Sequence, residues 1–151
     1  MEYTKVKLEK MLIAGKQIST TFANDKCFEE VPALWNNFFQ EGIFQSIQKK
    51  TDFKPLGVYF NVGLNGEQAF DFVTGCKVSE NANPELDAIE IPASNYAKFS
   101  FGAPTPENIN KAWETIAGLD LDKNTGFDFE EYNMNAEDET KSTFDCYVSV
   151  K

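Results

Sequence analysis

The chain has 151 residues, a formal net charge of −10 and no histidine. The missing histidine excludes Ser-His-Asp and Cys-His nucleophilic sites and His-ligated zinc or haem, and the acidic charge argues against direct nucleic-acid binding. Three widely separated cysteines, with no signal-peptide core and no membrane-spanning apolar run, predict a cytoplasmic protein with no membrane association and a single domain over residues 1–151.

The first half of the chain predicts a strand, a helix and a hairpin of two strands. These elements fall at residues 6–21, 28–47, 55–62 and 69–78. In the first segment a break is expected near Gly15, while Gly42 is a weak point of the helix rather than a clear end.

The second half predicts the same order of elements after a polar, proline-containing linker at residues 80–87. An extended segment, a helix, a strand and its hairpin partner fall at residues 89–103, 106–119, 126–134 and 142–150. Thr105 is the expected N-cap of this helix, with Pro106 at its first position.

The two halves therefore form pseudo-repeats, at about residues 1–79 and 88–151. Trp35 and Trp113 fall at matching positions of the two helices. Duplicated strand–helix–strand–strand units predict an α+β fold in which one antiparallel sheet carries both helices on one face. The two Trp side chains are then core residues, or core residues that also line the floor of a pocket.

Alternation along the strands predicts which side chains face the helices. The apolar sets should face them, including Val58, Phe60, Phe129 and Cys146. The opposite, helix-free face is then expected to gather one carboxylate and four tyrosines: Glu130, Tyr59, Tyr96, Tyr132 and Tyr147. A carboxylate among aromatic rings suits an organic cation, whereas the alternative is an ordinary solvated sheet face.

Residues 120–131 also resemble a calcium loop. Carboxylate or amide oxygens fall at five of its ligand positions: Asp120, Asp122, Asn124, Asp128 and Glu131. However, Thr125 stands where the loop requires glycine, and the segment that follows has the alternation of a strand rather than a helix. We therefore predict a polar turn here, with no metal site and no cofactor.

Several short motifs recur along the chain in a characteristic order: PLGVY at 55–59, IPASNYAKF at 91–99, Trp113 of the second helix, FEEY at 129–132 and YVSV at 147–150. Taken together, they resemble the motifs of GyrI-like effector-binding domains, the ligand-binding halves of AraC- and MerR-type regulators such as Rob and BmrR. The last motif carries Ser149 where the family has proline. The haem-binding SOUL-type proteins share this fold class, and the absence of histidine argues against their haem ligation.

The resemblance implies a pseudo-twofold fold with a ligand pocket between the halves, and lipophilic cationic compounds as ligands. Glu130 matches the family's buried counter-ion, and Tyr59, Tyr96, Trp113 and Tyr147 match its aromatic positions. We expect a stand-alone effector module of the type found on integron cassettes, without a DNA-binding domain.

Two other functions stay open at this point. The first is hydrolysis of cyclopropane-type toxins, with Glu130 as general base and Tyr96 or Trp113 placing the substrate. The second is inhibition of a protein partner, a regulator or gyrase, through the acidic loop at residues 135–140.

Overall fold

The computed structural model describes residues 2–64, 66–124, 126–135 and 137–151. Within these residues the strands are β1 Thr4–Leu8, β2 Met11–Thr21, β3 Leu56–Phe60, β4 Ala69–Val78, β5 Asp87–Ile91, β6 Ser94–Phe101, β7 Asp128–Asn133 and β8 Thr143–Val150. The helices are α1 Cys27–Gln40, α2 Ile43–Ser46 and α3 Pro106–Ala117, with 3-10 turns at Ala23–Asp25 and Glu139–Lys141. None of the helices in this part of the chain is long and apolar enough to cross a membrane.

All of these strands belong to one antiparallel sheet, in the order β1-β6-β8-β7-β3-β4-β2-β5. The two halves of the sequence meet at its centre, where β3 pairs with β7. The predicted α+β fold of two similar units in a single antiparallel sheet is therefore confirmed.

Two short connections force this sheet to curl. Strand β1 lies at one edge and β2 six strands away, yet only Glu9 and Lys10 join them. In a flat sheet these strands would be about 29 Å apart, whereas the connection spans at most about 11 Å. Pro92 and Ala93 impose the same closure between β5 and β6. The two ends of the sheet must therefore approach each other.

The closure fills the helix-free face of the sheet with a core of its own. Side chains from both ends, such as Val6, Ile13 and Ile91, pack with Val58 and Phe129 from the central strands. We call this the concave face. The alternative interpretation of this face as an ordinary solvated sheet face is therefore wrong, because the sheet itself covers it.

The prediction of which side chains face the helices is correct for β6 and β8 and wrong for the central strands β3 and β7. Ala97 of β6 and Cys146 of β8 pack under α3, as expected. Val58 and Phe129 instead lie in the concave core, so Tyr59 and Glu130 point toward the helices. The prediction is wrong here because both faces of β3 and β7 are buried, so polarity does not distinguish them.

Most predicted elements are confirmed, and the exceptions have local causes. Thr105 caps α3 by accepting a hydrogen bond from the backbone N–H of Asn108 at 3.1 Å. Gly42 adopts a left-handed backbone (φ 71°) and separates α1 from α2, so it is a clearer end than expected. The extended segment at 89–103 is two strands, divided at Pro92 and Ala93.

Gly15 lies inside β2 and does not break it. It pairs directly with Gly75 of β4, and both glycines occur where the two backbones approach closely. A Cβ atom on Gly15 would lie 1.9 Å from the carbonyl oxygen of Thr74. The glycine is required here for space between strands.

We predict that Gly15→Ala lowers the free energy of unfolding by about 3 kcal/mol, because the added methyl group forces the β2 and β4 backbones apart. Urea denaturation measures the change. Gly102→Ala is the matched control, since its Cβ would meet no atom within 4 Å. Equal stability of the two variants would contradict the close approach.

Candidate functional site

Glu130 lies at the centre of the sheet, on β7, and points toward the helices. It pairs with Gly57 on β3 and with Cys146 on β8. Its side chain is enclosed, with a relative exposure of 1%. A carboxylate in such a position loses its hydration, so the surrounding donors determine whether it is charged.

Donors from both halves of the chain reach this carboxylate. The indole Nε1–H of Trp113, on α3, donates to Oε2 of Glu130 at 2.7 Å. The hydroxyl of Tyr59, on β3, lies 3.2 Å from each carboxylate oxygen. Neutral donors stabilise the charged form without neutralising it.

Burial raises the pKa of Glu130 to about 7, and hydrogen bonds from Trp113, Tyr132 and Tyr59 oppose this rise. Burial and the proximity of Glu130 also raise the pKa of Tyr59 and Tyr132, so both hydroxyls stay protonated as donors. The pKa of the Cys146 thiol is raised for the same two reasons, which leaves it protonated and a poor nucleophile.

Gly57 gives the carboxylate its place. A Cβ atom at this position would lie 2.8 Å from Oε1 of Glu130 and 2.9 Å from the ring of Phe72. The Glu130 side chain therefore leans over the backbone of β3, into space that a larger residue would occupy. Gly57 and Glu130 together place the carboxylate on the line where the two halves meet.

The aromatic walls of the site follow the pseudo-twofold symmetry. The β3–β7 pairing is symmetric about the Gly57–Glu130 pair, which makes Tyr59 equivalent to Tyr132. Trp113 packs against Tyr59 with ring centroids 5.3 Å apart. Trp35, on α1, packs against Tyr132 at 5.2 Å. Each helix thus contributes one indole above the tyrosine of the other half.

Within the described residues, no lysine forms an ion pair with Glu130. Its neighbour Glu131 points to the opposite side and pairs with Lys77 at 2.9 Å. Lys54 lies 3.8 Å from the same carboxylate. Both acidic residues are buried, but of the two only Glu131 has a lysine partner within the described residues.

The structure brings together four of the six predicted ligand-binding residues. Glu130, Tyr59, Trp113 and Tyr132 meet on the helix-covered face. The expectation that all four tyrosines share one face with Glu130 is wrong: Tyr96 and Tyr147 lie in the concave core. Tyr96 and Tyr147 lie on the face that alternation predicts for β6 and β8. The error therefore concerns the side chains of the central strands β3 and β7.

Gly57 belongs to the site but was not predicted there, and Trp35 was predicted only as a core residue that could also line the floor of a pocket. The signal for Trp35 was its position in α1, which matches that of Trp113 in α3. Gly57 carries no signal in one sequence, because a glycine in a strand has several structural explanations. Its role depends on the residue opposite it in the sheet.

The site is closed, and open cavities lie elsewhere. A cavity of about 640 Å³ is bordered by Asp52, Phe53, Lys54 and the chain near Met134. A smaller one of about 260 Å³ lies between Phe101 and α3. Glu130 lines neither, so a ligand reaches it only if a side chain of the site moves.

The calcium interpretation receives no support from the described residues. Glu131 is engaged by Lys77, and Asp128 lies 3.2 Å from Lys123. Among the residues described, no three Cys, Asp or Glu side chains form a group that could hold a metal ion. Thr125, and residue 136 of the acidic loop, lie outside the described part.

Residues 6–150 match the Cass2 family, whose members are integron-associated effector binding proteins. A putative transcriptional regulator of Bacillus subtilis, YobU, is 28% identical over 128 residues, which cover 80% of this chain and 79% of YobU.

Two solved structures share the fold. SAV2435 bound to tetraphenylphosphonium superposes with a TM-score of 0.85 at 18% identity, covering 100% of this chain and 94% of SAV2435. The integron cassette protein VCH_CASS2 of Vibrio cholerae gives 0.74 at 17% identity, with 99% and 95% coverage.

We predict that Glu130→Gln stabilises the protein at pH 8 and has little effect at pH 4.5. The folded-state pKa lies above that of the unfolded chain, so the folded state binds more protons and wild-type stability falls as the pH rises toward 7. The full difference is on the order of 3 kcal/mol. Chemical denaturation at several pH values measures it, and a difference independent of pH would contradict the raised pKa.

Proposed function

The chain belongs to the Cass2 family of integron-associated effector binding proteins, and from this premise we propose that it binds a lipophilic organic cation at Glu130. One observation carries the proposal: Glu130 is enclosed by aromatic rings and forms no ion pair within the described residues. A bound cation supplies the missing charge.

The electrostatics of the site favour a cation over other small molecules. Two opposite charges attract more strongly in a dehydrated site than in water, and the ring faces of Trp and Tyr add cation–π attraction. An anion would meet the carboxylate without compensation. The net charge of −10 favours the approach of cations from solution.

The aromatic side chains around the carboxylate favour an apolar ligand that carries aromatic groups. Trp35, Trp113, Tyr59 and Tyr132 offer ring surfaces on both sides of the carboxylate, and Phe72 packs against Trp35 and Tyr59. Aromatic groups of a ligand pack well against such surfaces. The tetraphenylphosphonium bound by SAV2435, a protein of the same fold, has this chemistry.

We predict that tetraphenylphosphonium binds wild type with an affinity that rises about tenfold between pH 6 and pH 8. With a pKa of about 7, about one tenth of Glu130 is ionised at pH 6 and about nine tenths at pH 8. Isothermal titration calorimetry across this range measures the dissociation constant, because the charge of the probe itself does not change with pH.

Glu130→Gln should weaken this binding and remove its pH dependence. The matched control is Glu131→Gln, the same substitution one residue along, on the side of the sheet that faces away from the site. Binding that is unchanged in Glu130→Gln, or equally weakened in both variants, would sink the assigned role of Glu130.

A second function, hydrolysis of an electrophilic ligand, is favoured by one observation. A carboxyl group with a pKa of about 7 suits a general base near neutral pH. Incubation with a reactive cyclopropane, followed by mass spectrometry, detects addition of one water. Turnover that is lost in Glu130→Gln supports catalysis. Binding without turnover supports only the effector function.

A further inference from the structure

The indole Nε1–H of Trp113 donates to the Glu130 carboxylate at 2.7 Å, compared with 3.2 Å for the hydroxyl of Tyr59. Among the side-chain hydrogen bonds of the described residues, it is the one that joins α3 to the sheet. Tyr59 and Tyr132 extend from the central strands β3 and β7, whereas Trp113 extends from the helix α3. Of the three donors, the indole is therefore the one that can move away with the least disturbance of the sheet.

The indole of Trp113 is one of the side chains that close the site over the carboxylate. Glu130 is 1% exposed, with its Oε1 over Gly57 and the ring of Phe72 beside the same glycine. A cation in contact with Oε2 would occupy the position that the Nε1–H of Trp113 holds. A cation at this position on Oε2 and the indole hydrogen bond therefore exclude each other.

From this geometry we infer that Trp113 competes with the ligand for Glu130 and determines which ligands bind detectably. The inference rests on the proposed function. When a ligand displaces the indole, the protein loses a hydrogen bond to a buried charge. A cation returns a charge–charge interaction in its place, whereas a neutral molecule of the same shape leaves the carboxylate with fewer donors. The loss of the indole hydrogen bond is therefore offset when the ligand is a cation and not when it is neutral.

Trp35 provides the contrast within the same site. It holds the pseudo-equivalent position on α1 and packs edge-on against Tyr132 at 5.2 Å and against Phe72 at 6.3 Å. Its indole is not a donor to Glu130. Trp35 is thus a wall of the site, and Trp113 is both a wall and a competitor.

The first test observes the indole directly. The chain has two tryptophans, so a ¹⁵N–¹H spectrum contains two indole N–H signals, which Trp35→Phe assigns. On titration of wild type with tetraphenylphosphonium at pH 8, the Trp113 signal should move upfield as its hydrogen bond to the carboxylate is lost. A Trp113 signal that stays at its original position while the probe binds would overturn the inference.

The second test measures affinity. Trp113→Phe keeps an aromatic wall and removes the competing N–H, so tetraphenylphosphonium should bind on the order of tenfold more tightly than to wild type. The neutral probe triphenylphosphine oxide should gain affinity as well. Trp35→Phe, the matched control, should produce no gain. In a Glu130→Gln background the gain from Trp113→Phe should disappear, because the charged acceptor is absent.

The outcomes separate this inference from the proposed function. If tetraphenylphosphonium binds wild type through Glu130 but binds Trp113→Phe more weakly, Trp113 is a favourable ligand contact. The inference that Trp113 competes with the ligand is then wrong. If wild type binds neither this probe nor other organic cations, the proposed function fails, and the inference fails with it.

Discussion

A carboxylate held inside a protein without a cation is costly, and much of the central architecture of this chain accommodates one. Burial alone would leave Glu130 protonated at neutral pH. The indole of Trp113 and the hydroxyl of Tyr59 bring its pKa back to about 7, and Gly57 leaves the space in which the carboxylate lies. Helix α3, strand β3 and strand β7 are positioned so that these contacts occur together. The site therefore holds a charge that the chain only partly stabilises.

The curled sheet explains why this site lies beneath the helices. Two-residue connections draw the ends of the sheet together and fill the concave face with side chains such as Ile13, Val58 and Phe129. On the other face, α1 and α3 cover the sheet through a limited set of large side chains. Half-buried indoles on surface helices can move more easily than a core enclosed by strands on both sides.

Local pattern was sufficient to predict the elements and the duplicated α+β layout, because helices and hairpins have characteristic periods and turn residues. The concave core was not predictable in this way, since it depends on a closure that only the pairing order reveals. The facing of β3 and β7 failed for the same reason: with both faces buried, Val58 and Tyr59 are equally compatible with either side. Alternation along one strand placed Glu130 and Tyr132 on the same face. The resemblance of FEEY to the family motif identified Glu130 as the counter-ion. Trp35 was signalled by its match to Trp113, whereas Gly57 acquires its role only through a residue distant in sequence.

The equivalence of Gly57 and Glu130 has a further consequence for recognition. The two halves present matching rings, so the walls alone would accept a ligand in either of two orientations related by the twofold axis. The acidic residue is present in one half and replaced by the smallest residue in the other. A second carboxylate at that position would place two like charges in contact. Duplication thus gives the two halves matching rings, and the Gly57–Glu130 pair leaves one carboxylate at the centre where an exact repeat would place two.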